Sequence, residues 1–579
     1  MARLARLLTI LLCITGCSKT YESTTDALNK KIVTYISESK KRGEAPNLKK
    51  EFGSNLAGIK MIRQDLSGVD LSGIDLTGSE FSGVNLSKAN LSGAVLNNTI
   101  LQECNFNQTN ISGAKGAKAN FESSKFSEMD LRSNDFSGAT FTNASFESVD
   151  FSDNNLSNAK FSRATIVSCS FVNDKFVGAD LSQSKITSTS FIGSDMYGSD
   201  FSKSVFKKTS FENIAAESSD FSETWLDHSK LINVNISNSI AKSAIFENTD
   251  FDTVDISFSY FYGAKFAQLN FLNSKAVNNN FASSSFEDVL VKLSDFSSSK
   301  FSIATIVNLQ FEESTVKKAT IEKSKFADSS ASKTDFTELL VREANFVNFS
   351  LDSCILQSAK FKNVEFFSSV FGNSKMNRAI LKNLTFNQTK FNNIDLTQGF
   401  LDNISFNQVD INELIFNFGQ IQNSKSDQSN FKNIHSQKNI AASNTKLEIL
   451  EGYKPLSSVQ DLVSSGDYSF YNFSELVFGG MNIKNAKFQG AIFVKSDLSG
   501  ANFENVDFDR ASFELANLSD VKFIACTFNA NLMHGAIISN TVFDKSKISN
   551  INFDEARILS YRSKEVKLDN VFGKFETGK

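Results

Sequence analysis

Proline is almost missing from this chain: there are two in 579 residues, beside one tryptophan and three histidines. No apolar run approaches the ~20 residues that a membrane-spanning helix needs. Apolar content is an ordinary 41%, so the chain is neither disordered nor a polytopic membrane protein. Charge of one sign is lacking too. The formal net charge is −4, or −6 without Arg3 and Arg6 of the opening segment, and neither value implies a strong field for nucleic acid or anionic lipid. Six cysteines are present, in no metal or disulfide spacing. His228 and His435 lie 207 residues apart, and with His534 they fall at positions that the periodicity described next turns outward. Phosphate-binding glycine loops, H-E-x-x-H, paired CxxC and nucleophile elbows are all absent. Catalysis needs converging groups. The sequence therefore argues against an enzyme and calls for no metal and no cofactor.

What the chain has is phenylalanine, 57 of them, set in a strict rhythm. At 579 residues it exceeds the ~250–300 that one core supports, so it either divides or grows in one dimension. From Leu66 to Phe431 nearly every fifth residue is large and apolar, as in Leu71, Leu76, Phe81, Leu86, Leu91, Leu96, Leu101 and Phe106. The frame never slips; only Gly116, Ala216, Ala241, Ala276, Ala331 and Ser426 are small. A second frame runs from Phe473 through Phe478, Ile483, Phe488 and Phe493 to Ile558 and Leu568. A period of five fits neither a helix at 3.6 nor a plain strand at 2. It needs a coil that returns one side chain inward every five residues. The residue two places earlier is mostly Ala or Ser, compact enough to point inward beside the large one. Cys104, Cys169, Cys354 and Cys526 all stand at that small position, which makes them buried, space-filling thiols.

"GVDLSGIDLTG" and "GANFENVDFDRASFELANLSD" resemble the A-[DN]-[LF]-[ST]-x signature of the pentapeptide repeat family. The resemblance covers Leu66–Phe431 and Phe473–Leu568. It implies an all-β fold, a right-handed quadrilateral parallel β-helix with four pentapeptides per coil. Stacked repeats bury their faces only against neighbours, which agrees with that expectation. At about 4.8 Å per coil, the first frame would make a stiff rod of about 90 Å.

Arg3 and Arg6, the short apolar stretch Leu7–Leu12 and then Ile14-Thr15-Gly16-Cys17 read as a cleavable signal over residues 1–16. The tetrapeptide resembles the lipobox of bacterial lipoproteins, with a mild departure at Ile14. That resemblance implies lipid on Cys17 and, with Ser18 and Lys19 following and no Asp, outer-membrane sorting in a cell that has one. An ordinary signal peptide with a chance cysteine is the alternative. Residues 17–60 would hold the lipidated cysteine, a linker and a cover for the open end of the coil. Leu28, Ile32, Val33 and Ile36 fall on one stripe of an expected short helix, the alternative being a flexible tether. The repeat is assigned to 61–435, a loop or joint containing Pro455 to 436–467, a second run to 468–570 and a frayed tail to 571–579.

With four pentapeptides per coil, residues 20 apart stack. Lys115, Asp135, Asn155, Lys175 and Asp195 then alternate in charge as a structural column should. Asp180, Asp200 and Asp220 would stack without an intervening base, though Lys203 could reach over them. Val205, Trp225 and Ile245 form an outward apolar ridge with His228 beside the tryptophan, and Phe258, Tyr260 and Tyr262 a second patch behind Ile240. Phe400, Ile415 and Phe418 also point outward. An unknown envelope protein could meet such surfaces; locally packed aromatics and solvated carboxylates are the plainer reading. Three functions remain open. The first is a lipid-anchored envelope scaffold or interaction rod, held to the membrane through Cys17 and with no nucleic-acid partner. The second is a DNA mimic that occupies a nucleic-acid enzyme, as some pentapeptide repeat proteins do. The third is a polysaccharide lyase, the use to which some other β-helices are put.

Overall fold

The computed structural model describes residues 24–435 except 417–418, then 441–443, isolated positions 459 and 462, and 465–573 except 470, 472 and 554–555. Cys17, Phe418 and most of the expected joint therefore lie outside the described residues. The chain forms two compact units, Met1–Lys265 and Phe266–Lys579.

The first unit begins with helix α1, Thr24–Lys41, which buries Ile32 and Ile36. This is the helix that the apolar stripe implied, and its partner is the first coil. Asn29 accepts from the Lys60 N–H at 3.1 Å. Lys40 reaches Asp65 and the Ser67 hydroxyl, both at 2.9 Å. A five-residue helix α2, Leu48–Phe52, follows, capped by the Asn47 side chain on the Lys50 N–H at 2.8 Å. Tyr35 of α1 stands edge-on to Phe52 of α2 at 5.6 Å. Together they cover a coil end whose backbone groups would otherwise lack partners.

Beyond α2 the chain winds as a parallel β-helix. In the first unit rungs pair with the residue 20 places on, as in Asp75↔Val95↔Lys115↔Asp135 and Lys125↔Ser145↔Thr165↔Lys185. Four five-residue sides therefore close each turn. Inward phenylalanines stack in columns: Phe106 on Phe126 at 4.7 Å, Phe126 on Phe146 at 4.7 Å, Phe151 on Phe171 at 4.4 Å. Rings in neighbouring columns meet edge to face, as Phe121 and Phe136 do at 5.5 Å and 89°. Each side turns its corner through one left-handed residue two places after the large one, for example Gly68 at φ 67° and Asn98 at φ 56°. That conformation costs an ordinary L-residue about 1–2 kcal/mol. Burying a phenylalanine contributes roughly 1.5–3 kcal/mol, so the core wins even where Lys88 or Glu103 holds the corner.

The small inward positions solve a second problem. Their hydroxyls are buried and must be satisfied. Thr99 donates to the Leu76 carbonyl at 2.8 Å, Ser124 to Leu101 at 2.6 Å and Ser204 to Leu181 at 2.6 Å. The thiols behave as expected of packing groups: Cys104, Cys169, Cys354 and Cys526 are free and buried. Burial pushes the thiols of Cys104 and Cys526 up to about 12, and those of Cys169 and Cys354 up to about 11.

The second unit repeats this architecture. Phe326, Phe346, Phe366, Phe386 and Phe406 form one column with spacings of 4.7–5.6 Å. Asparagines at the corners are laddered: Asn403 donates to Asn383 at 3.0 Å and Asn383 to Asn363 at 2.9 Å. Pairing continues past residue 435, because Ala441–Ser443 lies parallel to Gln420–Gln422. The register there is 420↔441, one residue longer than elsewhere. Rung pairing therefore reaches Ser443 with the frame shifted by one residue. A second β-helical run extends from the Asp467↔Lys487 bridge to Asn552↔Phe572, with Phe473, Phe493 and Phe513 stacked at 5.2 and 5.0 Å.

This second run packs against the side of the coils that precede it in the unit. Lys382 pairs with Glu514 at 3.0 Å, Gln420 donates to the Gly490 carbonyl, and Arg510 reaches Gln398 at 3.5 Å. Phe400 points outward from its own coil yet is 5% exposed, with the Lys382 ammonium 5.1 Å from its ring. On the other run Ile492 and Val494, which flank the inward Phe493, are buried as a pair of their own.

Candidate interaction surface

The first unit carries the side chains that the sequence marked. Val205, Trp225 and Ile245 stack rung over rung in one row. Trp225 is half-buried rather than a free-standing ridge, because the Lys207 ammonium sits 4.4 Å from its ring. Such a contact is worth about 0.5–1 kcal/mol near the surface. The indole Nε1 is covered and has no partner. His228 occupies a left-handed corner at φ 50° and turns to Asp227, 2.5 Å from Nδ1 to Oδ1. It does not join the tryptophan in any shared contact with a ligand-binding geometry.

The three carboxylates and the tyrosine patch prove to be one row. Lys160, Asp180, Asp200, Asp220, Ile240 and Tyr260 bridge in succession along the same side. Each aspartate first does a local job: Asp180, Asp200 and Asp220 accept the backbone N–H of Ser182, Ser202 and Ser222 at 2.8–2.9 Å. This Asx-type bond is why aspartate is favoured at the rung and needs no cation. Lys203 does not lie over them. It faces Glu223, at 3.9 Å, which stands directly one coil on. The row then changes character. Ile240 is 49% exposed, and Tyr260 and Tyr262 stack at 6.1 Å, each 40% exposed. Phe258, on a left-handed corner at φ 59°, is 60% exposed. Carboxylates, then an aliphatic and aromatic end, thus follow one another over about 20 Å of one face. Among the described residues no cluster of His, Cys, Asp and Glu is disposed to hold a metal ion.

In the second unit the lateral packing leaves a cleft of about 490 Å³, which the strict five-residue spacing gave no reason to expect. Lys382, Asp402, Glu475, Glu514 and His534 line it. Its best-defined groups hold the two runs or their own coils: Glu514 is tied to Lys382, Lys495 lies 3.8 Å from Glu475, and Asp402 accepts from Asn423 at 2.9 Å. Sequence reasoning missed this arrangement. The available signal was the apolar pair Ile492 and Val494 on either side of an inward Phe493, together with the outward Phe400.

A solenoid that turns one large side chain inward in every five residues defines the class: a parallel β-helical repeat protein. Models of pentapeptide repeats match residues 53–83, 79–115, 117–153, 135–173 and 482–520, and a pentapeptide repeat region matches 164–240. Residues 53–115, 117–240 and 482–520 thus carry pentapeptide repeats. A search of curated proteins finds no match. Among solved structures it is similar to HetL, a pentapeptide repeat protein involved in heterocyst differentiation regulation from the cyanobacterium Nostoc sp. strain PCC 7120. Identity there is 16%, over 46% of this chain and 94% of that one, at a TM-score of 0.18. Full-length QnrB1, a plasmid-mediated fluoroquinolone resistance protein, matches at 14% identity over 46% of this chain and 94% of its own, with a TM-score of 0.11. The PL6 family alginate lyase AlyGC matches at 10% identity over 89% and 96%, with a TM-score of 0.19.

Proposed function

We propose that this protein is a non-catalytic interaction scaffold of the bacterial envelope, tethered by lipid on Cys17. The observation that carries the binding role is the row from Asp180 to Tyr260. It is acidic at one end and aromatic at the other, and its apolar members Ile240 and Tyr260 are 49% and 40% exposed beside the exposed Phe258 and Tyr262. Exposed contiguous aromatics rimmed by charge mark partner surfaces. The complementary partner presents basic groups followed by an apolar segment. The tether rests on the sequence Ile14-Thr15-Gly16-Cys17 behind a short basic and apolar leader. Lipid chains contribute about 0.8 kcal/mol per buried CH₂, so two or three anchor a scaffold stably. Mass spectrometry of membrane-extracted protein tests the tether, with a diacyl or triacyl group expected on an N-terminal Cys17 and an unmodified Met1 overturning it. Affinity capture from membranes, wild type against Tyr260→Ala, tests the surface; equal recovery of every partner would remove it.

The stacked carboxylates also support a second reading, a DNA mimic acting on a nucleic-acid enzyme. A mild net charge of −4 and the many rung lysines weigh against it. A gyrase supercoiling assay with micromolar protein separates the two, inhibition favouring mimicry. A lyase reading would need the cleft beside Asp402 and Glu514 to turn over polysaccharide, whereas its carboxylates are engaged in holding the fold.

A further inference from the structure

One inward column of the first unit carries amide and carboxyl side chains at the small position. Asn134, Asn154 and Asp174 occupy the small position in three successive coils, each 1–3% exposed. Elsewhere the backbone N–H at this position bonds the carbonyl three residues back, as Ala139 does to Phe136 at 3.0 Å, or a hydroxyl one coil on, as Ser199 does to Ser219 Oγ at 3.1 Å. Here amide and carboxyl oxygens accept it along the column, with the Ala114 N–H shared with the Ile111 carbonyl at 3.3 Å. The Ala114 N–H bonds Asn134 Oδ1, Asn134 N–H bonds Asn154 Oδ1, and Asn154 N–H bonds Asp174 Oδ1, each at 2.7 Å. Asp174 N–H continues to Ser194 Oγ at 3.2 Å. Past Ala114 this leaves the carbonyl three residues back in need of a donor. The asparagine amides supply it: Asn134 Nδ2 donates to Leu131 O at 2.5 Å and Asn154 Nδ2 to Phe151 O. At Asp174 the corresponding atom is a carboxyl oxygen, Oδ2, which has no partner and is shut away from solvent. By analogy with Asn134 and Asn154, Oδ2 is the atom that would meet the Phe171 carbonyl; as a carboxylate oxygen it would be buried and unpartnered, a cost that outweighs the backbone hydrogen bonds from Asn154 and Val172 favouring the charge.

We propose that Asp174 is carried in the folded protein as the neutral acid, donating its Oδ2 proton to the Phe171 carbonyl, and that loss of this proton opens the surrounding coils. The charged neighbours act in the same direction. Asp150 and Asp153 on the preceding coil disfavour a second negative charge, although Arg132 is bound to Asp130 and lies 3.6 Å from Asp150. Lys175 on its own coil points outward in the rung with Asp195 of the next coil. Burial, the largest effect, raises the Asp174 carboxyl to about 8 from an ordinary 3.8. The folded state thus binds the proton more tightly than the unfolded one. Stability is full below about 3.8, falls as pH rises toward about 8, and is level above that.

The experiment is thermal unfolding and amide hydrogen exchange of the full chain between pH 5 and 9, with Asp174→Asn as the comparison. Wild type should show the opening equilibrium of this column rising by as much as tenfold per pH unit, the limit for one proton. Asp174→Asn, which copies Asn134 and Asn154, should raise the melting temperature at pH 8 and flatten that dependence. An infrared difference spectrum of wild type against Asp174→Asn at pH 6 should show a protonated-carboxyl C=O band. Should Asp174→Asn fail to fold, Asp174→Ser, matching Ser194, carries the same comparison. Equal pH slopes in wild type and the folded variant, or a difference spectrum without the protonated band, would overturn the proposal.

Discussion

Lys382 and Glu514, 132 positions apart, form a 3.0 Å ion pair that joins the two β-helical runs of the second unit, with Glu514 only 12% exposed. Removing one partner strands the other charge in a poorly solvated contact. Lys382→Met should therefore cost roughly 2–3 kcal/mol, somewhat below the ~3–5 kcal/mol seen when a fully buried pair is broken, since the lysine keeps partial access to water. Hydrogen exchange should accelerate around Gly490–Lys495 and Gln420–Gln422. The double variant Lys382→Met/Glu514→Leu should recover much of the loss, and a double-mutant cycle with no coupling would show that the pair does not hold the runs.

Phe146 tests the core. Its ring touches Phe126 at 4.7 Å and Phe151 at 5.1 Å and is fully buried. Phe146→Ala should destabilise the first unit by about 3–5 kcal/mol. Because each coil leans only on its neighbours, the loss should appear in denaturant melts of the first unit's own probes and fade with distance along it.

The four buried thiols should resist thiol reagents at pH 8 until the fold is opened. Burial holds them neutral, at about 11 to 12 against an ordinary 9.0. Each therefore favours the fold fully below pH 9 and loses that contribution as pH climbs through 11 to 12. Cys104→Ser should be close to neutral for stability, within about 1 kcal/mol, since Ser124 one coil on already makes the equivalent hydroxyl–carbonyl bond. Labelling kinetics with and without denaturant check the first point, melting curves the second.

Trp225 is the only tryptophan of the chain, so its emission reports on one place. Lys207→Gln removes the cation over the ring and should change its emission intensity and wavelength while costing less than about 1 kcal/mol in stability. A partner that binds the row ending at Tyr260 without covering the Val205–Trp225–Ile245 row should leave the emission unchanged, and one that spans the corner should shift it.

The parts of this fold that were readable from residue order are those with a period. A phenylalanine such as Phe146 announces its direction because the same kind of side chain returns every five residues, and Cys104 is placed by the same count. Corners were harder: Gly68 and Asn98 suit a left-handed turn, but Lys88 and Glu103 adopt it too, driven by the core rather than by their own preference. The pairing of Gln420–Gln422 with Ala441–Ser443 was hidden, because it falls one residue out of the five-residue count and sets the small Ala442 beside Ile421. Lateral packing through Ile492, Val494 and Phe400 involves contacts distant in sequence, which no local rhythm encodes. The Asn134–Asn154–Asp174 column was visible as three polar residues 20 apart at a small site; its hydrogen bonding was not. Of the candidate surface, the row Asp180–Asp200–Asp220 and the tyrosine pair were each legible, and the same 20-residue count joins them through Ile240 into one continuous strip.

Helix α1 seals the end of the first unit that is synthesised earliest, while every later turn presents a free edge until the next one arrives. Growth of the solenoid is consequently vectorial. As the polypeptide emerges, each fresh loop meets a finished template below it and locks on without waiting for distant segments. In the first unit an arrested nascent chain should accordingly be ordered up to its last completed winding.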